Sequence, residues 1–475
     1  MKAQGCFQVA FAAIIALMPG LSPVFGANDK PRVIIETDIG IGDGDDDASL
    51  VRFLLYADVL DVEGMIVTKS GNMHKRYGAL KDGYEFMEKF MDAYERVRSN
   101  LIAHSPGYPT ADHLRKRVAR SWMDEAVDLI IAAADRADVR PVWYCNWGTS
   151  NSLGPALDKV KSTRSEKEYR QFISRLRVSS LWNNGTVPNH FNAFTSTYVD
   201  IGNYEPGKVK TDPYWWSWDD WTVIYWAEKN LDDFNYERDR HFPHFIARGH
   251  GPLCELYYHA KEGDTPATSF LFPVGLNHVV DPHPGWGSWA GRASQVDTDA
   301  AIHYPVPTER GNFWWYKKEK DANHDNFEGS INRDNCLKRW GLHIQNDFMA
   351  RIEWCVKSYA EANHPPKVVL NGDESLNVLE ITAEAGSLIR LDAAGSSDPD
   401  GDKLSYEWIY YPEPGTYGAR HDLDAIKIDN QKAKKASFKM PGDIAEGETI
   451  HIVLIVTDDG NPALTRYRRI IVSGG

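Results

Sequence analysis

Six carboxylates stand within twelve residues in the run Glu36-Thr37-Asp38-Ile39-Gly40-Ile41-Gly42-Asp43-Gly44-Asp45-Asp46-Asp47. Acids at this density repel one another strongly unless a cation sits among them. A hard divalent ion takes roughly six to eight oxygen ligands, and glycines let the backbone fold closely enough to present them. Asp45 to Asp47 also suit the start of a helix, where negative charge meets the positive end of the peptide dipoles. The competing reading is a solvated acidic turn with an aspartate cap. The run is not an EF-hand, because it lacks the D-x-D-x-D-G register and the glutamate at the twelfth position.

The elements around this run must hold it at a useful place. Arg32–Thr37 is a short apolar stretch that reads as a buried strand, and Leu50, Val51, Leu54 and Leu55 form the apolar stripe of a helix. Val62–Thr68 reads as the next strand, 78–94 as a helix, 141–146 as a third strand, and a further helix starts near Asn151. Strand–helix–strand order at this spacing predicts parallel pairing with right-handed crossovers, hence an α/β fold with an open, mostly parallel sheet. The acidic run then lies at the carboxyl end of a parallel strand, where such sheets bind ligands.

Elsewhere the chain divides by composition. Residues 1–26 carry Lys2, the apolar stretch VAFAAIIALM and a small-residue cleavage site ending at Gly26, which predicts a cleaved signal peptide and a secreted or periplasmic protein, with no membrane span. Residues 27–365 form the α/β domain, with a loop-rich middle that holds most of the tryptophans, Trp286 and Trp289 among them, and a closing helix over 346–361. From 366 to 475, short alternating strands such as Leu404, Tyr406, Trp408 and Tyr410 are separated by turn clusters, which predicts an Ig-like β-sandwich. The net charge of −14 argues against nucleic acid as a partner. Aromatic residues make up 12%, which suits stacking on sugar rings, although most such rings fill core. Cys145, Cys254, Cys336 and Cys355 allow three pairings if they pair at all, and none has metal-site spacing. His104, His190 and His364 fall in no ligand pattern.

The acidic run, with its strand and helix, resembles the metal-binding signature of nucleoside hydrolases, Asp-x-Asp-x-Gly-x-Asp-Asp. Gly71-Asn72 resembles their next Gly-Asn element, and Trp147-Gly148-Thr149-Ser150-Asn151 resembles the turn where a main-chain carbonyl is offered to calcium. More closely, the chain resembles a secreted, nucleoside-hydrolase-like family described as cellulose-binding. The segments that carry this are Ser49–Tyr56, Glu262–Pro266, Pro284–Arg292, Gln345–Phe348, Ala362–Pro366 and Thr457–Gly460, so that the likeness covers nearly all of 32–475.

Carried over by position, the resemblance makes Asp38 a calcium ligand and general base. It makes Asp45 the residue that holds a sugar hydroxyl and Asp46 a metal ligand, with Asp46-Asp47 as the alternative register in this longer loop. Glu36 stands where the first aspartate is usual. Asp347 matches a late metal ligand, with Asn346 where those enzymes often have histidine. The family's Asn/Glu sugar clamp has no direct match, with Glu262 and Asp264 as its substitutes here; Asn72 of the Gly-Asn element and Trp286 and Trp289, which could stack on sugar faces, complete the substrate-binding candidates. The implied function is calcium-dependent hydrolysis of a glycosidic bond in a glycan fragment or nucleoside, with water activated by Asp38. The alternative is a cellulose- or carbohydrate-binding protein without catalysis.

Overall fold

A computed structural model describes residues 30–39, 45–67, 83–121, 123–147, 152–181, 222–226, 247–257, 262–278, 282–292, 294–295, 312–315, 324–332 and 335–475. The chain opens with β1 (Arg32–Thr37), α1 (Asp45–Leu55), β2 (Asp61–Val67), α2 (Gly83–His104), β3 (Val118–Arg120), α3 (Asp124–Asp135), β4 (Val142–Asn146), α4 (Leu153–Thr163) and β5 (Leu176–Leu181). With β6 (Thr222–Trp226), β7 (Ser294–Gln295) and β8 (Asn312–Trp315) these strands form one sheet in the order β3-β2-β1-β4-β5-β6-β8-β7. Every pairing in it is parallel except β7 with β8.

The sheet is wound on both faces, and the sequence period shows why. Successive residues of a strand point to opposite sides. Val33 and Ile35 of β1, with Trp143 and Cys145 of β4, enter one apolar core, packed by α1 and α2. Ile34, Val142 and Tyr144 enter the other, packed by α3 and α4. A strand buried on both faces reads as a continuous apolar run, and all six residues of β1 are buried. The chain leaves β1 toward β2 and β3 on one side and later fills β4, β5 and β6 on the other. The carboxyl ends of β1 and β4 therefore flank the point where strand order reverses.

A hairpin of β9 (Asp325–Phe327) and β10 (Ser330–Asn332) precedes helix α5 (Gly341–Trp354). That helix starts five residues earlier than the sequence pattern predicts and stops at Trp354, with a separate 3-10 turn at Tyr359–Glu361. The Ser358 cap on that turn, a reciprocal box with the acidic Glu361, gives it an independent start.

Beyond Pro366 comes the expected sandwich. One sheet runs β11 (Leu379–Ala383), β17 (Thr465–Gly474), β16 (Thr449–Thr457), β13 (Ser405–Tyr410), and the other β12 (Leu388–Asp392), β15 (Lys435–Lys439), β14 (Ile428–Asp429). The pairings are antiparallel apart from β11 with β17. Here β16 is unlike an ordinary outer strand. Ile450, Ile452, Leu454 and Val456 face the sandwich core, whereas Val453 and Ile455 enter the α/β core together with Tyr411 and Tyr467. The two units share a core. Among the described residues no helix is long and apolar enough to cross a membrane.

Candidate functional site

At the carboxyl end of β1, two adjacent residues serve opposite faces. Glu36 is fully buried. Its carboxylate accepts hydrogen bonds from the Ser121 hydroxyl at 2.5 Å, the Ser152 hydroxyl at 3.1 Å and the Ser152 amide at 3.3 Å, and a short one from the Tyr144 hydroxyl. Burying a carboxylate is costly unless its oxygens are hydrogen-bonded, and these four bonds come from three residues in separate parts of the chain around the switch point. Thr37, facing the other way, donates from its hydroxyl to Asp46 and accepts from the Ile39 amide at 3.1 Å. The Thr37–Asp46 bond ties the end of β1 to the first turn of α1 and so closes the base of the acidic loop.

Asp38 lies in this loop, half-buried, while Asp46 and Asp47 are buried in the first turn of α1. Asp45 begins α1, but its side chain and Asp43 lie outside the described residues, as does Asn72. The Trp147 amide donates to the Glu36 carbonyl at 2.9 Å, which carries the β1–β4 ladder one residue past the strand. Its indole is buried edge-on to Phe53, with centroids 5.7 Å apart. Asp38, Asp46 and Trp147 therefore gather at one end of the sheet.

Asp347 lies away from that end. Asp347 is 2% exposed, and its oxygens accept from the Tyr56 hydroxyl at 2.7 Å, Arg351 at 3.1 Å and Arg466 at 2.7 Å. Tyr56 follows the far end of α1, about 15 Å from Asp46 at the helical rise of about 1.5 Å per residue. Burial raises the Asp347 pKa, but Arg466 and Arg351 outweigh it, so its carboxyl is held below the usual range. The charge of Asp347, the late metal ligand that the resemblance implies, is thus matched by two guanidiniums.

Glu262, a candidate for sugar contact, is paired in a similar way. It is fully buried and receives Arg52 through Nε at 2.5 Å and Nη2 at 2.8 Å, Thr265 at 2.7 Å, and a short bond from the Tyr257 hydroxyl. These donors make it a clamp on α1. The sequence holds a signal for this in Arg52, a lone cation in the apolar stretch Leu50-Val51-Arg52-Phe53-Leu54, which requires a buried acid opposite. Asp264, 1% exposed, lies beside this clamp. Trp289 is 1% exposed, edge-on to Tyr56 and Phe272, and fills core instead of a sugar platform. Trp286 is half-buried; it stacks on His283 with centroids 4.9 Å apart, and its carbonyl accepts from Arg469 at 2.6 Å. It sits at the seam with the sandwich.

Two of the histidines that the sequence sets aside, His104 and His364, meet where the sandwich joins the α/β unit, and His190 lies outside the described residues. His104 Nδ1 and His364 Nε2 are 2.9 Å apart, His364 Nδ1 is 3.0 Å from Asp400, and His104 Nε2 reaches the Lys357 carbonyl at 2.9 Å. Trp354 and Tyr359 stack on the two rings. No spacing rule could pair residues 260 apart in the chain.

Of the metal donors that the resemblance implies, the carboxylates of Asp38 and Asp46 and the main-chain carbonyl of Trp147 stand at the loop. They are oxygens, right in kind for a hard cation. Among the described residues no group of three or more His, Cys, Asp or Glu side chains converges to hold a metal.

Comparison with known proteins follows the same outline. The family model described as cellulose-binding Sde182, nucleoside hydrolase-like domain, matches residues 32–293, and that of the cellulose-binding protein Sde0182, C-terminal domain, matches 388–474. A solved nucleoside hydrolase-related hypothetical protein from Saccharophagus degradans, described as associated with carbohydrate metabolism, is 28% identical. The alignment spans 94% of this chain and 100% of that one, with a TM-score of 0.71. The PKD domain from KIAA 1837 protein aligns with 20% of this chain and 80% of its own at 23% identity, but its TM-score of 0.15 is too low to build on. No curated protein matches. Matched by the first model over more than half of its 475 residues and by the second over most of its sandwich, the chain belongs to the cellulose-binding, nucleoside hydrolase-like Sde182 family.

Proposed function

We propose that the chain is an exported protein that acts on carbohydrate at the carboxyl end of its parallel sheet, hydrolysing a glycosidic bond of a glycan fragment or nucleoside. The observation that carries this reading is the acidic loop at the switch point, closed at its base by Thr37 and Asp46 and backed by the buried Glu36 network. Asp38, half-buried in that loop, is the residue to take a proton from the attacking water. A developing oxocarbenium ion carries positive charge, and a concentration of carboxylates stabilises it. Calcium would be held by Asp38, Asp46 and the Trp147 carbonyl, and when bound would supply Lewis-acid activation of water and sugar hydroxyls. The rigid Glu36 network keeps β1 and β4 at fixed separation and so fixes Asp38 relative to Trp147.

A second reading is a carbohydrate-binding protein without catalysis. It is favoured by the internal commitments of Glu262 and Asp347, whose carboxylates are paired with arginines within the fold. Reducing-sugar release from cellulose and other glycans, beside a nucleoside panel, distinguishes the two. Asp38→Asn is expected to keep the fold and lower turnover about 10³-fold, the range for losing a general base. Retention on cellulose that survives a chelator, with no release from any substrate, selects the binding reading.

A further inference from the structure

We infer that Cys254 and Cys355 form a disulfide when the chain folds in an oxidising compartment, and that Cys145 and Cys336 stay as thiols. The sulfurs of Cys254 and Cys355 are 3.6 Å apart, and the two residues are 1% and 2% exposed. Cys254 opens the 3-10 turn Cys254–Leu256, and Cys355 caps the carboxyl end of α5. Two sulfurs at contact distance become a disulfide when side-chain rotation closes about 1.5 Å, since the bond is about 2.05 Å long. Cys145 and Cys336 have other surroundings. Cys145 lies on β4 with its sulfur 3.8 Å from the Trp143 carbonyl, and the Cys336 sulfur accepts from the Arg292 amide at 3.3 Å. Of the three pairings that the four thiols allow, the structure thus singles out one bond and leaves the remaining pair apart.

The reaction is an exchange with an external disulfide, of a small molecule or of an oxidoreductase. Two S–H groups are oxidised to one S–S bond, and the external disulfide is reduced to two thiols that carry off both protons. Burial confines this step to folding, before the pair is covered. In the folded chain, contact with Cys254 together with burial pushes the Cys355 thiol well above its ordinary range, which disfavours the thiolate needed for late exchange. Once made, the bond joins the 3-10 turn to α5. Both pack on α1, the helix whose first turn carries Asp46 and Asp47. The crosslink spans 101 positions of chain, a long loop whose closure restricts the unfolded state.

The test uses the full chain exported into the oxidising compartment of a bacterial host, and it is independent of any activity on carbohydrate. The protein is denatured without reductant, alkylated, digested and mapped by mass spectrometry. The expected result is a linked peptide pair holding Cys254 and Cys355, with alkyl groups on Cys145 and Cys336 only. Reduction is expected to lower the melting midpoint by roughly 5 °C, and a Cys355→Ala variant to melt independently of reductant. Where that variant does not fold, peptide mapping of the unaltered chain decides. Full alkylation of all four thiols, or a bond that includes Cys145 or Cys336, overturns the inference.

Discussion

A carboxylate flanked by two guanidiniums is already neutralised, and Asp347, between Arg351 and Arg466, has no charge left over for a cation. Its role is to hold α5 to the end of α1 and to β17. Arg351 extends the network to the Leu55 carbonyl at 2.6 Å and to Asp58 at 2.6 Å. Removing one member of a buried pair leaves the other charge uncompensated, so Asp347→Asn is expected to cost about 3 kcal/mol in urea unfolding. The pH dependence has a definite sign. Because the folded carboxyl sits below its ordinary 3.8, its stabilisation is complete above that value and is lost as pH falls through the lower folded value. The gap between the native chain and Asp347→Asn should therefore be constant from neutral pH to about pH 5 and narrow below about pH 4. A gap unchanged at low pH would mean that Asp347 does not act through its charge.

At the scale of elements, the seam is built by backbone as much as by side chains. The Tyr467 amide of β17 donates to the Val274 carbonyl at 2.9 Å, and Arg469 on the same strand donates to the Leu276 carbonyl at 2.5 Å. Between these two contacts lies Gly275, with φ +95°, where an added Cβ would stand 1.9 Å from the Tyr467 carbonyl oxygen. Gly249 offers an internal comparison, since it has φ +80° and nothing within 4 Å of an added Cβ. Alanine at a left-handed position costs about 1–2 kcal/mol whatever its surroundings. Gly275→Ala adds displacement of a packed strand, and its total loss is expected to exceed that of Gly249→Ala by at least about 2 kcal/mol. Equal losses in denaturant titrations would mean that the strand and the 274–276 segment separate freely.

On the scale of the whole molecule, the sandwich rests on the α/β unit through the side of β16 and β17 that faces away from its own core. Tyr411, Val453, Ile455 and Tyr467 are all at most 9% exposed and belong to the α/β core. Asp325 ties to Arg292 within that unit and accepts from the Tyr411 hydroxyl at 2.5 Å across the seam. A segment 366–475 produced alone would expose these four apolar side chains, at a cost on the order of 5 kcal/mol at about 1.5 kcal/mol or more each. Calorimetry of the full chain is expected to show one main transition, since neither unit can melt without uncovering the other. Two well-separated transitions would show the units to be independent.

Local patterns already determine much of this protein. Apolar runs with a period of two or of about 3.6 depend only on neighbouring residues, so the parallel sheet, the helices around it and the change to a sandwich near Pro366 are legible in the sequence. So is the acidic run at the end of β1, because strand, glycines and acids adjoin within Arg32–Asp47. What the chain could not reveal by itself is which distant charges meet. Arg52 and Glu262 are 210 positions apart, and Asp347 and Arg466 are 119 apart. A carboxylate reads the same in sequence whether it faces a cation, a sugar hydroxyl or a guanidinium. Only the packing of α5 and β17 onto α1 decided that Asp347 holds the two units together, and only the fold of the 262–265 segment over α1 made Glu262 a clamp. Asp38 and Asp46 lie near one another because Thr37, one residue away from Asp38, bonds Asp46 through a contact only nine positions long.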